Sequence, residues 1–223
     1  MPLPAYVVGS NSATYLRITP PDKEPISLDE AKQHSRIGDH YSDDLVSVYL
    51  QSAREYAEEY LGYGLYTQTW RLELGGFRDV MELPMALVLQ NDPTATPSTA
   101  VQIQYYGLDG TLLTLDPTLY LIDPTSRPAR ITRAPNKMWP SIQPDRITGC
   151  VRITYVVGWT RVEDIPQRIK QGIRGYITYL DADRDGLEPN AMQALQMAQA
   201  CWSDRMFWTP PYVWTPPYLF GVR

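Results

Sequence analysis

The chain has 223 residues, a net charge of −5 and a hydrophobic fraction of 43%, which predicts one large or two small folded domains and argues against disorder throughout. No stretch approaches the roughly 20 apolar residues of a membrane span, and Met1–Ser10 lacks the basic start and apolar run of a signal peptide, so a chain made and kept in cytoplasm is expected. The acidic balance argues against gripping phosphates with clustered Lys and Arg, while leaving room for a protein that surrounds DNA without holding it.

In chain order, residues 1–24 read as an extended arm, with Pro2, Pro4, Pro20 and Pro21 and no helical period. Ser27 and Glu30 form an S-x-x-E capping box with Ile26 outside it, predicting a helix from Leu28 to about Arg36 that Gly38 ends. A second helix is predicted over Asp43–Leu61. Leu45, Tyr49, Ala53, Tyr56 and Tyr60 recur on one face, Asp43 and Asp44 suit its first turn, and Gly62 and Gly64 supply a stop.

The period then changes to two. Tyr66–Leu74 places Trp70, Leu72 and Leu74 on one strand face, and Val80–Leu83 is a second strand. Residues 90–100 read as a polar loop. Val101, Ile103 and Tyr105 alternate with polar residues, Gly107–Gly110 holds an Asp-Gly turn signal, and Thr111–Leu115 returns as the hairpin partner. Tyr120–Ile122 and Ala129–Thr132 are further strands, and Val151–Val157 is the clearest, ending at Gly158. A third helix follows Pro166 with a stripe of Ile169, Ile173, Ile177 and Leu180, and Gly172 and Gly175 flatten one side for close packing. A fourth runs through Met192, Leu195, Ala198 and Trp202. Helices, strands, then helices predict an α+β fold: a helical hairpin and C-terminal helices forming a helical part, with an inserted antiparallel β module and extended termini. The expected divisions are 1–24 arm, 25–65 helical hairpin, 66–160 inserted β module, 161–207 C-terminal helices and 208–223 Pro/aromatic tail.

Several motifs bear on chemistry. D-A-D-R-D-G at Asp181–Gly186 matches the first half of an EF-hand loop, but position 12, where a bidentate Glu closes the calcium shell, is Met192 and position 9 is Pro189. A solvated turn without calcium is expected. His34 and His40 lie near Asp39, Asp43 and Asp44, and read as surface residues of a helix–helix turn. Cys150 and Cys201 are too few and too far apart for a disulfide framework or zinc site, and read as buried thiols. No nucleophile elbow, Walker loop or Cys-His spacing occurs, so no catalytic residue, metal or cofactor is assigned. Two other readings stay open: a carbohydrate-type β module with exposed Trp and Tyr, and a hydrolase built on carboxylates.

The 20 Pro, 16 Tyr and 6 Trp stand against only 3 Phe, and aromatics with a polar tip suit surfaces that become interfaces. They are densest in the tail, where W-T-P-P-Y occurs at 208–212 and again at 214–218. Paired prolines exclude helix and central strand, leaving an extended polyproline-type segment. A repeat of six at about three residues per turn puts Trp208 with Trp214 and Tyr212 with Tyr218 on one side. With Pro210, Pro211, Pro216 and Pro217, these are the candidate partner-binding residues.

I-S-L-D-E-A-K-Q-H-S-R-I (Ile26–Ile37) resembles the opening of the head-to-tail connector, or adaptor, proteins of tailed bacteriophages, whose capped helix ends in a Lys-x-His-x-Arg pattern. Lys32, His34 and Arg36 match it, while Ser35 stands where an aliphatic residue is common. The segment from Asp44 and Leu45 through Ala53, Tyr56 and Glu59 to Leu65, Thr67, Gln68, Thr69 and Trp70 is similar to the family's second helix and following strand. Leu83-Pro84, Asp109-Gly110, Trp139-Pro140, Val151–Gly158 and Ile165-Pro166 leading to Ile169, Lys170 and Ile173 continue in order, and Arg184 falls near an Arg that often closes the third helix. The Asp-rich turn at 181–185 departs from the pattern.

The resemblance implies a structural virion protein without catalysis. It implies a homo-oligomeric ring, usually twelve-fold, under the portal, with DNA passing through the centre without specific binding and with no membrane contact. Its implied partners are the portal protein and tail-side stopper or tail terminator proteins. The resemblance says nothing about residues 1–24 or 187–223; from its aromatic stripe the tail is expected to dock on another protein, the portal or a neighbouring subunit, the other reading being that it folds back on its own domain.

Overall fold

The computed structural model describes residues 6–8, 13–35, 42–85, 100–126, 128–143, 149–182 and 191–203. It has two antiparallel sheets and a helical part. The six-stranded sheet contains β1 (Tyr6–Val8), β2 (Ala13–Thr19), β3 (Gln68–Leu74), β5 (Val101–Tyr106), β6 (Leu112–Thr114) and β9 (Val151–Val157), in the order β1-β2-β3-β9-β5-β6. The three-stranded sheet contains β4 (Val80–Leu83), β7 (Tyr120–Asp123) and β8 (Ala129–Arg133), in the order β4-β8-β7. The helices are α1 (Leu28–Ser35), α2 (Asp43–Leu61), α3 (Gln167–Ala182) and α4 (Ala191–Trp202).

Strict alternation in β3 and β9 produces one buried and one half-exposed face. Register lines up Leu72, Ile153 and Ile103 across three strands, and they pack with Met81, Leu83 and Ile131 of the small sheet. The sheets thus share one core. The opposite face of the large sheet is polar: Glu73 pairs with Arg152 at 3.4 Å, and the Arg152 guanidinium lies 5.1 Å from the Tyr106 ring centre.

A second core belongs to the helices. It joins Val46, Leu50, Ala53, Ala57 and Leu61 of α2 to Ile169, Ile173 and Ile177 of α3 and to Ala198 and Trp202 of α4. Gly172 lets α4 approach, since a Cβ there would lie 2.1 Å from Trp202 Nε1, which donates to Ile169 O at 3.2 Å. Gly175 lies against Ala198. The two cores meet where Tyr66 bridges to Trp159. Gly158 at φ 93° lets the chain pass Tyr66, whose carbonyl oxygen would sit 2.2 Å from any Cβ.

Several expectations need correction. The arm is extended, but residues 13–19 form β2, bonded along β3, with Ala13 buried. The buried stripe of α2 is Val46, Leu50, Ala53, Ala57 and Leu61, turned about one residue from the expected face, so Leu45, Tyr49, Tyr56 and Tyr60 are half-buried flanks. Met192 is 50% exposed and Leu195 half-buried, because Ala191, Ala198 and Trp202 are the residues of α4 that face inward, and Leu180 of α3 is half-buried. Ser27 Oγ accepts from the Glu30 N–H at 3.1 Å, but the Glu30 carboxylate pairs with Arg174 of α3. That side chain therefore ties two helices together. Cys150 is buried and Cys201 half-buried, and neither is in a disulfide. Gly38, His40 and most of the 90–100 loop lie outside the described residues.

Candidate assembly interface

A charged cluster lies at the seam between helices and sheet. On α2, positions 54 and 58 are one turn apart and share a face. Arg54 Nη1 donates to Glu58 Oε2 at 3.2 Å, and both side chains are 3% exposed. Glu58 Oε1 also accepts from the Leu65 N–H at 2.8 Å and from Gln68 Nε2 at 2.7 Å, while Trp70 Nε1 donates to Gln68 Oε1 at 3.1 Å. Arg54 Nε reaches Glu24 at 2.9 Å, and Arg17 of β2 reaches Glu55 at 3.0 Å.

Burial pushes the Glu58 carboxyl above its ordinary value, against the pull of Arg54 and of the Leu65 and Gln68 donors. Partial burial also pushes Glu55 up, but bonds from Arg17 and Gln51 and the charges of Arg17 and Arg54 outweigh it and hold Glu55 low. Chemically the cluster clamps the orientation of sheet against helices; Glu58 is sealed from solvent. A cleft beside it is lined by Lys23, Glu24, Ser27, Leu50, Gln51 and Val162. Among the described residues it brings no pair of carboxylates together.

Among the described side chains every Trp and Tyr is buried or half-buried. Tyr56 and Tyr176 stack at 4.3 Å, with Tyr60 and Trp202 beside them, and Gln199 Nε2 donates to the Tyr56 hydroxyl at 2.7 Å. Burial, then the neighbouring Tyr56, Tyr179 and Glu59, push the Tyr176 hydroxyl up to about 12. The chain leaves this cluster through Ser203. The tail residues Trp208, Pro210, Pro211, Tyr212, Trp214, Pro216, Pro217 and Tyr218 lie outside the described residues, as does the Asp-rich turn beyond Ala182. Among the described residues no cluster of His, Cys, Asp or Glu could hold a metal, and no helix is long and apolar enough to cross a membrane.

Exposed apolar surface is aliphatic instead, and sequence reasoning missed it. Leu108, Leu112 and Leu113 crown the β5–β6 hairpin, Val80 and Leu121 share a row across the outer face of the small sheet, and Met192 and Met197 lie on α4. The signal was present in β6, whose L-L-T has apolar residues on both faces of a strand at the end of a sheet.

Residues 25–94, which include α1, α2, β3 and β4, match the family model of the phage gp6-like head-tail connector protein. No curated protein matches the sequence. Among solved structures, the fold matches a chain in the neck of an empty GTA particle computed with C6 symmetry, at TM-score 0.59 and 21% identity, covering 82% of this chain and 94% of that one. It matches a chain in the virion of a native gene transfer agent at 0.59 and 20%, covering 91% and 99%. A third match, in the native GTA neck computed with C12 symmetry, has TM-score 0.56 and 20% identity, covering 87% and 98%. At these identities the likeness is one of fold, and it runs nearly the length of the matched chains. Over residues 25–94 the chain therefore carries the sequence pattern of the phage gp6-like head-tail connector family, on an α+β fold shared with neck and virion chains of gene transfer agents.

Proposed function

We propose that this chain is a structural head-tail adaptor of a virion, without catalysis, which forms a ring between portal and tail around the DNA channel. The observation that carries the reading is the connector match over residues 25–94, lying on the helical hairpin, β3 and β4 of a fold like that of neck chains. In this reading residues 25–65 and 161–207 make the helical part, 66–160 the β module, and 208–223 a docking tail. A net charge of −5 suits a conduit, because an acidic ring repels phosphates and lets the duplex slide, whereas a basic ring retains it. The clamp of Arg54, Glu58 and Gln68 suits a part that must hold its shape between two larger assemblies.

The tail, with Trp208, Tyr212, Trp214 and Tyr218 as anchors on a proline-stiffened backbone, docks on the portal or on a neighbouring subunit. Heads made without this chain should accumulate unjoined to tails, and purified full-length chain should restore joining. Chain lacking residues 208–223 should melt close to the full-length temperature yet fail to join heads. Heads that acquire tails without the chain contradict the reading.

A further inference from the structure

We infer that neighbouring copies of this chain join by adding β6 of one copy to β1 of the next, so that the six-stranded sheets continue from subunit to subunit. The inference rests on the ring reading above.

The first observation is the open edge of β6. Gly107 N–H donates to Thr111 O at 2.9 Å and Leu115 N–H to Ile103 O at 2.8 Å, with Leu113 opposite Tyr105 between them. In an antiparallel ladder bonded and non-bonded pairs alternate. Residues 111, 113 and 115 therefore turn their backbone groups to β5, while the N–H and C=O of Leu112 and Thr114 point to the open side. No described strand pairs there. Sheet edges are ordinarily blunted by shortness, charge, proline, a bulge or a covering element, and of these β6, three residues long, shows shortness alone among the described residues. β6 has no charge and no proline, and its two leucines, on opposite faces, are 42% and 43% exposed, with Leu108 at the turn 69% exposed. A second backbone strand satisfies the four open groups and covers leucines on both sides.

The second observation selects the occupant. All neighbouring strands of the large sheet are antiparallel and there are six of them, so β6 runs opposite to β1. A copy displaced sideways by a ring rotation presents β1 antiparallel to the first copy's β6, and the alternation continues unbroken. The contact is heterologous, so it propagates until a ring closes. Pairing of β6 with β6 about a two-fold axis would stop at a dimer.

The test uses full-length chain added to heads that lack it. Thr114→Pro removes one outward N–H and leaves the bonds to β5, as proline is tolerated on an edge facing solvent. Its melting temperature should stay near wild type while ring occupancy on heads falls at least about tenfold. A control, Leu113→Pro, deletes a bond to Tyr105 and should lower the melting temperature. Independently, Val7→Cys combined with Thr114→Cys in a Cys201→Ser background should cross-link assembled chains into a ladder, with neither single cysteine doing so. Wild-type occupancy by folded Thr114→Pro, or dimers from Thr114→Cys alone, overturns the edge pairing and leaves the ring reading standing. Should Thr114→Pro fail to fold, the cysteine pair decides. Wild-type heads that carry no ring of this chain overturn the ring reading, and the edge pairing with it.

Discussion

At the scale of residues, the cluster around Glu58 governs how sheet and helices are held together. Glu58→Ala leaves the buried Leu65 N–H and Gln68 Nε2 without their acceptor and Arg54 with only Glu24 and Glu55, so it should cost about 3 kcal/mol, read by chemical denaturation. The two carboxyls have opposite pH signatures. Glu58, held above its ordinary value, takes up a proton more readily folded than unfolded, so its own contribution favours folding in acid and fades as pH rises through its folded value. Glu55, held below its ordinary 4.5, contributes stability above that value and loses it as pH falls through the lower folded one. Glu55→Gln should therefore flatten the acid side of a melting-temperature profile below about pH 4.5, and an unchanged slope would refute the Arg17 contact. None of this was legible in the sequence: Arg54 and Glu58 at i and i+4 carry no local sign of burial, which comes from the chain returning at Leu65 and Gln68.

At the scale of elements, much was legible because strong periods coincide with strong punctuation. α2 runs over its expected Asp43–Leu61, with Ser42 accepting from the Leu45 N–H and Gly62 closing it in the left-handed region at φ 74°. β3, β4 and β9 keep their alternation because one face of each packs into a shared core. β1 and β2 were not legible as strands, since flanking prolines and a mixture of Tyr15, Leu16, Arg17 and Ile18 hide the period. Only the β-rich composition of A-T-Y-L-R-I-T hinted at it.

The difference is testable. An arm could be removed at little cost, whereas deleting residues 1–19 strips β2 from β3 and should lower the melting temperature by on the order of 10 °C. The glycine spacing of α3, by contrast, was read correctly from sequence as a close-packing face. Gly172→Ala must displace the Trp202 ring and break its bond to Ile169, costing roughly 1–3 kcal/mol, while Gly175→Ala, at ordinary contact with Ala198, should cost less.

At the scale of the whole molecule, the described sheets and helices have separate cores, and exposed apolar residues lie on the sheet edges (Val80, Leu112, Leu113, Leu121), on α4 and also at Ile18, Val48 and Met138. The composition pointed to Tyr and Trp as the sticky surface; in the described fold those rings are buried or half-buried, and a hydroxyl such as that of Tyr56 finds a partner in Gln199, while the aromatic tail lies outside the described residues. The surface leucines were less visible because a lone exposed apolar residue is unremarkable until topology shows that it lies on an open edge. The central claim, a ring of identical subunits at a head-tail junction, is tested most directly by cryo-electron microscopy of particles that contain this chain, reconstructed at the neck without imposed symmetry. A closed ring of copies between portal and tail, in head-to-tail contact around an open axis, is expected. Single copies, a two-fold dimer, or density for this chain anywhere other than the neck would contradict it.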